Sequence, residues 1–521
     1  MMKKFLLLLT SVVILWSCQD EQVAKRIEWT SSSAEAKELF EKFLINIEQN
    51  YWAPEVQEAL MDSILELDSN FLIAKTYNNF GTNEQTRQIF LDAYENREQL
   101  SDIEKRLIES EYEQRFGDFK ERDRTLDELI EDYPDYYQLR IWSGQVKNRI
   151  DAKASQRRWE EALEINPKSF KAYVNLAFLH FPTSANFFML EESERNLNKA
   201  EELLQKGSKI YPESSRWSRF LGNVYRAKGD FDSALNEYTK SLDIIEKYET
   251  GNESDPYGNS LLMVGHVNTF QGKYDEARKS YQQAIDISNN YWQMSIGELS
   301  AHTYIYQKDF SNAVNKLNEV QNDIANFDEE EQTKLFWTSQ MEFIKFLAFG
   351  HSQNKEETLN SIGRIKELDS IILGIQSNNA INEDRVKRFQ LNNKIGSMEL
   401  DIWFDILFGE YEEARRLMPY YETLKSEQLE FNPNAMNNFY KYSGYLNLME
   451  GNPNEAIAAY NNLTKEVMDN DSYHSYFYAL AKKAIGETEE STILLDRLAN
   501  DNFATWQNAF VKNLAKAQIQ S

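Results

Sequence analysis

Small and large residues recur along this chain at a spacing that fits pairs of antiparallel helices. Gly222 is followed twelve residues later by Ala234 and, after four more, by Tyr238. The same spacing recurs at Gly265, Ala277 and Tyr281 and again at Gly444, Ala456 and Tyr460. A small residue lets two helices approach closely, while larger side chains fill the space that remains. Such pairs bury their apolar faces by stacking on one another, which predicts an all-α solenoid.

Turn-forming residues lie where the predicted helices end. Gly229-Asp230 separates the two helices of one unit, because glycine is favoured just past a helix C-terminus. Pro134, Pro167 and Pro212 each close a helical stretch. We count about ten helical hairpins from residue 34 to the C-terminus. A turn-rich stretch divides them into an N-terminal array over 34–248 and a C-terminal array over 249–521 that continues the same solenoid.

The unit around Gly222 resembles the tetratricopeptide repeat. Gly222 with Tyr225, and then Ala234 with Tyr238, match its G-x2-Y and A-x3-F positions, and the leading tryptophan is displaced to Trp217. The resemblance implies an α-α superhelix whose concave groove binds a protein or peptide partner.

The N-terminus has the charge pattern of an export signal. Lys3 and Lys4 precede an apolar stretch over residues 5–16, which is too short to span a bilayer. The stretch ends in Leu15-Trp16-Ser17-Cys18, which resembles the lipobox of bacterial lipoproteins. That resemblance implies a signal peptide over 1–17, acylation of Cys18 with fatty acids such as palmitate, and a lipidated tether over 18–33. An ordinary cleaved signal and an uncleaved anchor are the alternatives.

An acidic cluster directly follows the lipobox. Gln19, Asp20 and Glu21 resemble the export signal of surface lipoproteins in the Bacteroidota. The resemblance implies an outer-membrane lipoprotein, held to the membrane by the lipid on Cys18. Both the cell surface and the periplasmic face of the outer membrane remain open as its location.

Charge and motif content limit the function. The net charge of −27 argues against nucleic acid and anionic lipid headgroups as main partners. A single cysteine excludes an internal disulfide framework and cysteine-built metal sites. The sequence contains no H-E-x-x-H, G-x-S-x-G, Walker or G-x-G-x-x-G motif, and its five histidines are scattered. We therefore expect no enzyme activity, no cofactor and no metal site.

One predicted helix carries three arginines in an otherwise acidic chain. In the tetratricopeptide frame Arg216, Arg219, Asn223 and Arg226 face the concave groove, and His266 and His302 take the position of Asn223 in the next two repeats. Guanidinium groups bind carboxylates bidentately, so these six residues predict a groove for an acidic or C-terminal peptide segment. The alternative is that the arginines pair with acidic residues on neighbouring helices.

Two further segments stand outside the repeat pattern. The apolar insertion over 181–190 predicts either a docking patch or a loop that covers an edge of the solenoid. Residues after Asn500 predict a cap on the solenoid. Together these features indicate a non-catalytic, outer-membrane-anchored scaffold or assembly factor. The alternative is a glycan- or nutrient-binding lipoprotein of the SusD-like family, which also embeds tetratricopeptide units in a lipidated chain.

Overall fold

The computed structural model of the chain describes residues 27–49, 54–78, 83–117, 119–182, 190–249, 255–380 and 382–520. Within these ranges the chain forms twenty-six α-helices, two short 3-10 helices at Arg97–Gln99 and Glu192–Glu194, and no β-strand. The predicted signal peptide over 1–17 and the predicted lipidation site Cys18 lie outside the described residues, as do residues 183–189 of the apolar insertion.

The first twelve helices are Ala34–Gln49 (α1), Pro54–Leu67 (α2), Leu72–Thr76 (α3), Asn83–Glu95 (α4), Asp102–Phe116 (α5), Phe119–Asp132 (α6), Tyr137–Lys147 (α7), Ala152–Ile165 (α8), Phe170–Phe178 (α9), Leu197–Ile210 (α10), Ser215–Ala227 (α11) and Phe231–Tyr248 (α12).

The remaining helices are Asp255–Phe270 (α13), Tyr274–Ile285 (α14), Asn290–Tyr306 (α15), Phe310–Asn326 (α16), Glu331–His351 (α17), Lys355–Asn378 (α18), Glu383–Leu407 (α19), Tyr411–Gln428 (α20), Met436–Met449 (α21), Pro453–Tyr460 (α22), Lys465–Asp469 (α23), Ser472–Ala484 (α24), Thr488–Asn500 (α25) and Trp506–Gln520 (α26).

Consecutive helices pack in pairs, and each pair packs on the next. Helices α1 to α22 form eleven hairpins and α24 with α25 forms a twelfth, while α23 and α26 stand outside this pairing. The predicted all-α superhelix is therefore confirmed. Its described part has twelve hairpins rather than about ten, because pairs such as α3 with α4 lack the glycine–alanine–tyrosine spacing. Helix α3 has only five residues.

Close helix contacts occur where the small residues predict them. A Cβ atom added to Gly222 would lie 2.4 Å from the ring of Tyr238, and one added to Gly444 would lie 2.6 Å from the ring of Tyr460. Since real Cβ atoms essentially never come that close, only glycine fits these positions. The aromatic ring of the second helix thus packs directly on the backbone of the first.

The predicted turns are also confirmed. Gly229 has a φ of 77°, in the left-handed region that favours glycine, and Asp230 caps α12 by accepting a hydrogen bond from the backbone N–H of Ser233 at 3.1 Å. Helices α6, α8 and α10 each end two residues before the prolines at 134, 167 and 212.

The last residues of the predicted tether belong to the folded body. Trp29 is buried and its ring packs edge-on against Phe40 at 5.1 Å. The hydroxyl of Ser31 donates to the carboxylate of Asp68 at 2.6 Å, and the backbone N–H of Thr30 donates to Glu104 at 2.9 Å. The tether predicted over 18–33 is therefore too long at its C-terminal end, because an apolar tryptophan and these hydrogen bonds attach residues 29–33 to the first hairpins.

The superhelix coils back on itself, so that distant hairpins touch. The guanidinium of Arg195, just before α10, donates to Asp469 at the end of α23 at 2.7 Å, and both side chains are buried. Arg195 also donates to the backbone carbonyls of Pro182 and Leu190, which fixes both ends of the apolar insertion. At another seam, Arg87 of α4 donates to the carbonyl of Asn379 after α18.

Candidate protein-interaction groove

The six predicted groove residues lie on the first helices of three successive hairpins. Arg216, Arg219, Asn223 and Arg226 belong to α11, His266 belongs to α13 and His302 belongs to α15. The structure brings Arg226, His266 and His302 into one cluster, since the other two groups act electrostatically on His266. The frame taken from the repeat thus places these side chains on a common side of the superhelix.

Four of the six side chains are buried. Arg219 and His266 are each 6% exposed, and Arg226 and His302 are each 3% exposed. Arg216 and Asn223 keep partial exposure. A partner cannot reach these four side chains in this conformation, and their role in binding stays a prediction.

The chain's own C-terminal segment covers the cluster. The side-chain amide of Asn502 donates to the backbone carbonyl of Arg226 at 3.1 Å. The ring of Phe503 lies 5.3 Å from the guanidinium carbon of Arg226 and 5.9 Å from the ring of Phe181. Phe181, the first residue of the apolar insertion, therefore packs against the C-terminal segment.

Helix α26 continues along the groove. Tyr306 of α15 donates its hydroxyl to Asn508 at 2.6 Å, and the amide of Asn513 donates to the carbonyl of Tyr306 at 2.8 Å. Phe510 stacks on Phe310 of α16 at 6.2 Å. Helix α26 also packs on α24 and α25, so the segment after Asn500 covers the last hairpin, in agreement with the predicted cap, and in addition reaches α15 and α16 of the middle hairpins.

The sequence pattern indicates that α26 forms a helix, but it does not indicate that this helix lies in the groove. Its buried residues Ala509, Phe510 and Ala515, with the partly buried Trp506 and Leu514, form an apolar stripe at helical spacing. That stripe shows that the helix needs a partner surface. Nothing in the local pattern shows that the surface belongs to α15 and α16, two hundred residues earlier in the chain.

Burial lowers the pKa of two groove residues, His266 and Arg219. It holds the pKa of His266 well below its usual range, and the nearby Arg226 and His302 lower it further, so His266 is a neutral imidazole that bonds to the hydroxyl of Tyr281 at 2.8 Å. Burial also lowers the pKa of Arg219 to about 10, against the opposing effect of Glu249. For Arg219, the proximity of Glu249 agrees with the alternative in which the arginines pair with acidic neighbours.

Two of the buried groups have few polar partners. Arg226 donates to the sulfur of Met263 at 3.4 Å, its Nε has no hydrogen bond, and it forms no ion pair with any residue that the structure describes. Both ring nitrogens of His302 lack a hydrogen bond, although Nε2 lies 3.4 Å from a carboxylate oxygen of Glu298. The cluster therefore has hydrogen-bonding capacity that its own chain does not use.

The described residues contain neither a candidate metal-binding cluster nor a candidate membrane-spanning helix. No group of three or more histidine, cysteine, aspartate or glutamate side chains could hold a metal ion in the described ranges. None of the helices seen in the structure has the length and apolar character needed to cross a bilayer.

Fold and groove together define an all-α superhelix of stacked helical hairpins. Residues 213–290, which contain α11 to α14, match the tetratricopeptide repeat family. This stretch holds four of the predicted groove residues in α11 and His266 in α13. No curated protein matches the chain.

Several solved structures are similar to this chain at low identity. A tetratricopeptide repeat protein from Parabacteroides merdae is 18% identical over 59% of this chain and 98% of its own, with a TM-score of 0.33. YrrB, described as a TPR protein with an unusual peptide-binding site, is 16% identical over 40% of this chain and 91% of its own, with a TM-score of 0.22. A chain of the APC/C hetero-tetramer Cut9-Hcn1 is 13% identical over 89% of this chain and 76% of its own, with a TM-score of 0.37.

Proposed function

We propose that this chain is a non-catalytic lipoprotein, anchored in the outer membrane through Cys18, that binds a protein or peptide partner as a scaffold or assembly factor. The observation that carries the interaction role is the stack of helical hairpins from residue 34 to residue 500, of which residues 213–290 match tetratricopeptide repeats. Such stacks present extended binding surfaces and are used mainly for recognition.

The anchor rests on the sequence. Leu15-Trp16-Ser17-Cys18 follows a charged and then apolar N-terminus, and Cys18 is the only cysteine. Several acyl chains on one residue anchor a protein stably, because each buried methylene contributes about 0.8 kcal/mol. The acidic residues Asp20 and Glu21 support display on the cell surface, with the periplasmic face as the other location.

Cell fractionation of the full chain tests the anchor, with Cys18→Ser compared with the matched control Ser17→Ala. We expect the wild type and the control to be acylated by mass spectrometry and to fractionate with the outer membrane, and Cys18→Ser to be released without acyl chains. An acylated or membrane-bound Cys18→Ser protein would refute the anchor. Protease treatment of intact cells then distinguishes the two faces.

Crosslinking in the same strains tests the scaffold role. We expect the wild type to capture a defined protein in a fixed ratio. Charge reversal at Arg219 or Arg226 is a poor test, because both are buried and a variant would report on folding. If the wild type captures no protein and the purified chain binds oligosaccharides, the SusD-like alternative is the better account.

A further inference from the structure

Where the superhelix coils back on itself, a cleft opens between α4–α5 and α17–α19. Its volume is about 710 Å³, within the range of ligand sites in proteins. A second cleft of about 290 Å³ adjoins it and shares Arg385 and Phe389 with it. We call the two together the seam cleft. It lies between hairpins that are distant in sequence, apart from the groove that the C-terminal segment fills.

Arginines from several helices line the seam cleft. The larger part is lined by Arg87, Arg115 and Arg385, and the smaller part by Arg149, Arg385 and Arg388. The five arginines outnumber the three glutamates that line the same openings, Glu113, Glu330 and Glu331, so the cleft is locally positive in a chain with a net charge of −27 and attracts anions.

Arg385 and Arg388 have few polar partners, although their guanidinium carbons lie over the rings of Phe389 and Phe431 at 4.9 and 5.1 Å. Neither forms an ion pair with any residue in the described part of the chain. Each donates one long hydrogen bond, at 3.5 Å, to a backbone carbonyl at the end of α5, from Arg385 to Arg115 and from Arg388 to Gly117. A guanidinium has five N–H donors, so most of its donors stay available. Burial and the neighbouring Arg388 lower the pKa of Arg385, which agrees with two like charges held close together.

Apolar side chains lie beside these charges. Phe336 of α17 is 59% exposed, although it is a large aromatic residue at the rim of the cleft. Phe116, Ile375 and Phe389 contribute further apolar surface. Exposed apolar surface next to unused cationic donors fits an occupant that carries both carboxylates and apolar side chains.

A peptide fits this cleft better than a membrane surface does. Glu330 and Glu331 lie on the same rim as Phe336 and would repel an anionic bilayer, whereas a short segment can place its own charges away from them. The side-chain amides of Gln376 and Asn379 can in addition bond to a peptide backbone.

We propose that the seam cleft binds an acidic segment of a partner protein, with its carboxylates on Arg385 and Arg388 and an aromatic or aliphatic side chain against Phe336 and Phe389. This inference rests on the proposed function only in that the chain binds a protein, and it does not depend on the lipid anchor. The proposed contact surface is therefore the seam cleft and not the groove that the C-terminal segment fills.

A labelled synthetic peptide in which aspartates alternate with phenylalanine and leucine tests the site by fluorescence anisotropy on the full chain. We expect salt-sensitive binding that Arg385→Gln with Arg388→Gln weakens roughly tenfold or more, because hydrogen bonds to charged groups are lost. The matched control is Lys387→Gln with Lys394→Gln, which removes the same charge from exposed positions on the same helix and should bind as the wild type does. The same peptide with asparagine in place of aspartate should not bind.

A second pair of variants covers the case in which the arginine variant fails to fold. Phe336→Ala changes an exposed side chain and should weaken binding, while Tyr420→Ala, at a residue 64% exposed elsewhere, should not. Equal binding by Phe336→Ala and the wild type, or by the aspartate and asparagine peptides, would overturn the proposal. So would binding of the chain to vesicles containing phosphatidylserine when the peptide does not bind.

Crosslinking in cells separates this inference from the proposed function. If the arginine variant still captures the partner that the wild type captures, the seam cleft is wrong and the scaffold role stands. If the wild type itself captures no protein, the scaffold role fails as well.

Discussion

Only glycine fits at position 222, because a Cβ atom there would collide with the ring of Tyr238. The Tyr238 ring opposite is fully buried, and its hydroxyl donates to Asn223 at 2.8 Å, so the ring cannot retreat. We expect Gly222→Ala to lower the free energy of unfolding by about 1–3 kcal/mol, the usual cost of overpacking. Thermal unfolding followed by circular dichroism measures the change.

The matched control is a glycine in a helix with room around it. No atom lies within 4 Å of a Cβ added to Gly374 in α18. Since alanine favours a helix over glycine by up to about 1 kcal/mol, Gly374→Ala should be neutral or stabilising. Similar losses at both positions would contradict the account of Gly222, because the cost would then not come from the tyrosine ring.

At the scale of the helices, prediction from sequence succeeds where contacts are local. Gly222 and Tyr238 are sixteen residues apart, so the turn at Gly229 and the spacing of small residues define their hairpin. Helix α3 was missed because its hairpin carries no such spacing. The occupant of the groove was missed for another reason, since Asn508 meets Tyr306 across 202 residues and long-range contacts leave no periodic trace in a sequence.

Helix α26 is expected to stabilise the hairpins on which it lies. Phe510 is 7% exposed and packs among Phe310, His351 and Trp506. We expect Phe510→Ala to cost about 3–5 kcal/mol, the usual range for removing a buried phenylalanine. Ile519→Ala, at a residue 41% exposed on the same helix, should stay within about 0.5 kcal/mol of the wild type. If the two variants unfold alike, α26 does not hold the groove as described.

At the scale of the whole molecule, contact between distant hairpins brings acidic side chains together where α23 meets the segment just before α10. Glu466 of α23 is half-buried near Glu191, Arg195 and Asp151, and one of its carboxylate oxygens is buried without a hydrogen bond. Burial first, and then Glu191, raise its pKa from 4.5 to about 7, against the opposing effect of Arg195.

This raised pKa predicts how stability depends on pH. The unfolded chain loses the proton near pH 4.5, whereas the folded chain holds it until about pH 7. The contribution of Glu466 to stability therefore falls as pH rises through this window. Glu466→Gln should flatten that part of the profile of unfolding free energy against pH. The control Glu430→Gln, at an exposed position, should leave the pH profile of the unfolding free energy as in the wild type. A Glu466→Gln profile that matches the wild type would refute the assignment of this pH dependence to Glu466.

Because α26 completes a groove built by helices made much earlier, the order of synthesis limits the order of folding. Hairpins near the N-terminus can form as soon as they emerge, since their contacts are local. The side chains of Tyr306 and Phe310 must wait for residues about two hundred positions later in the chain. During that interval the middle hairpins expose apolar surface that α26 later covers, so we expect a chain interrupted before residue 506 to aggregate more readily than one that contains α26.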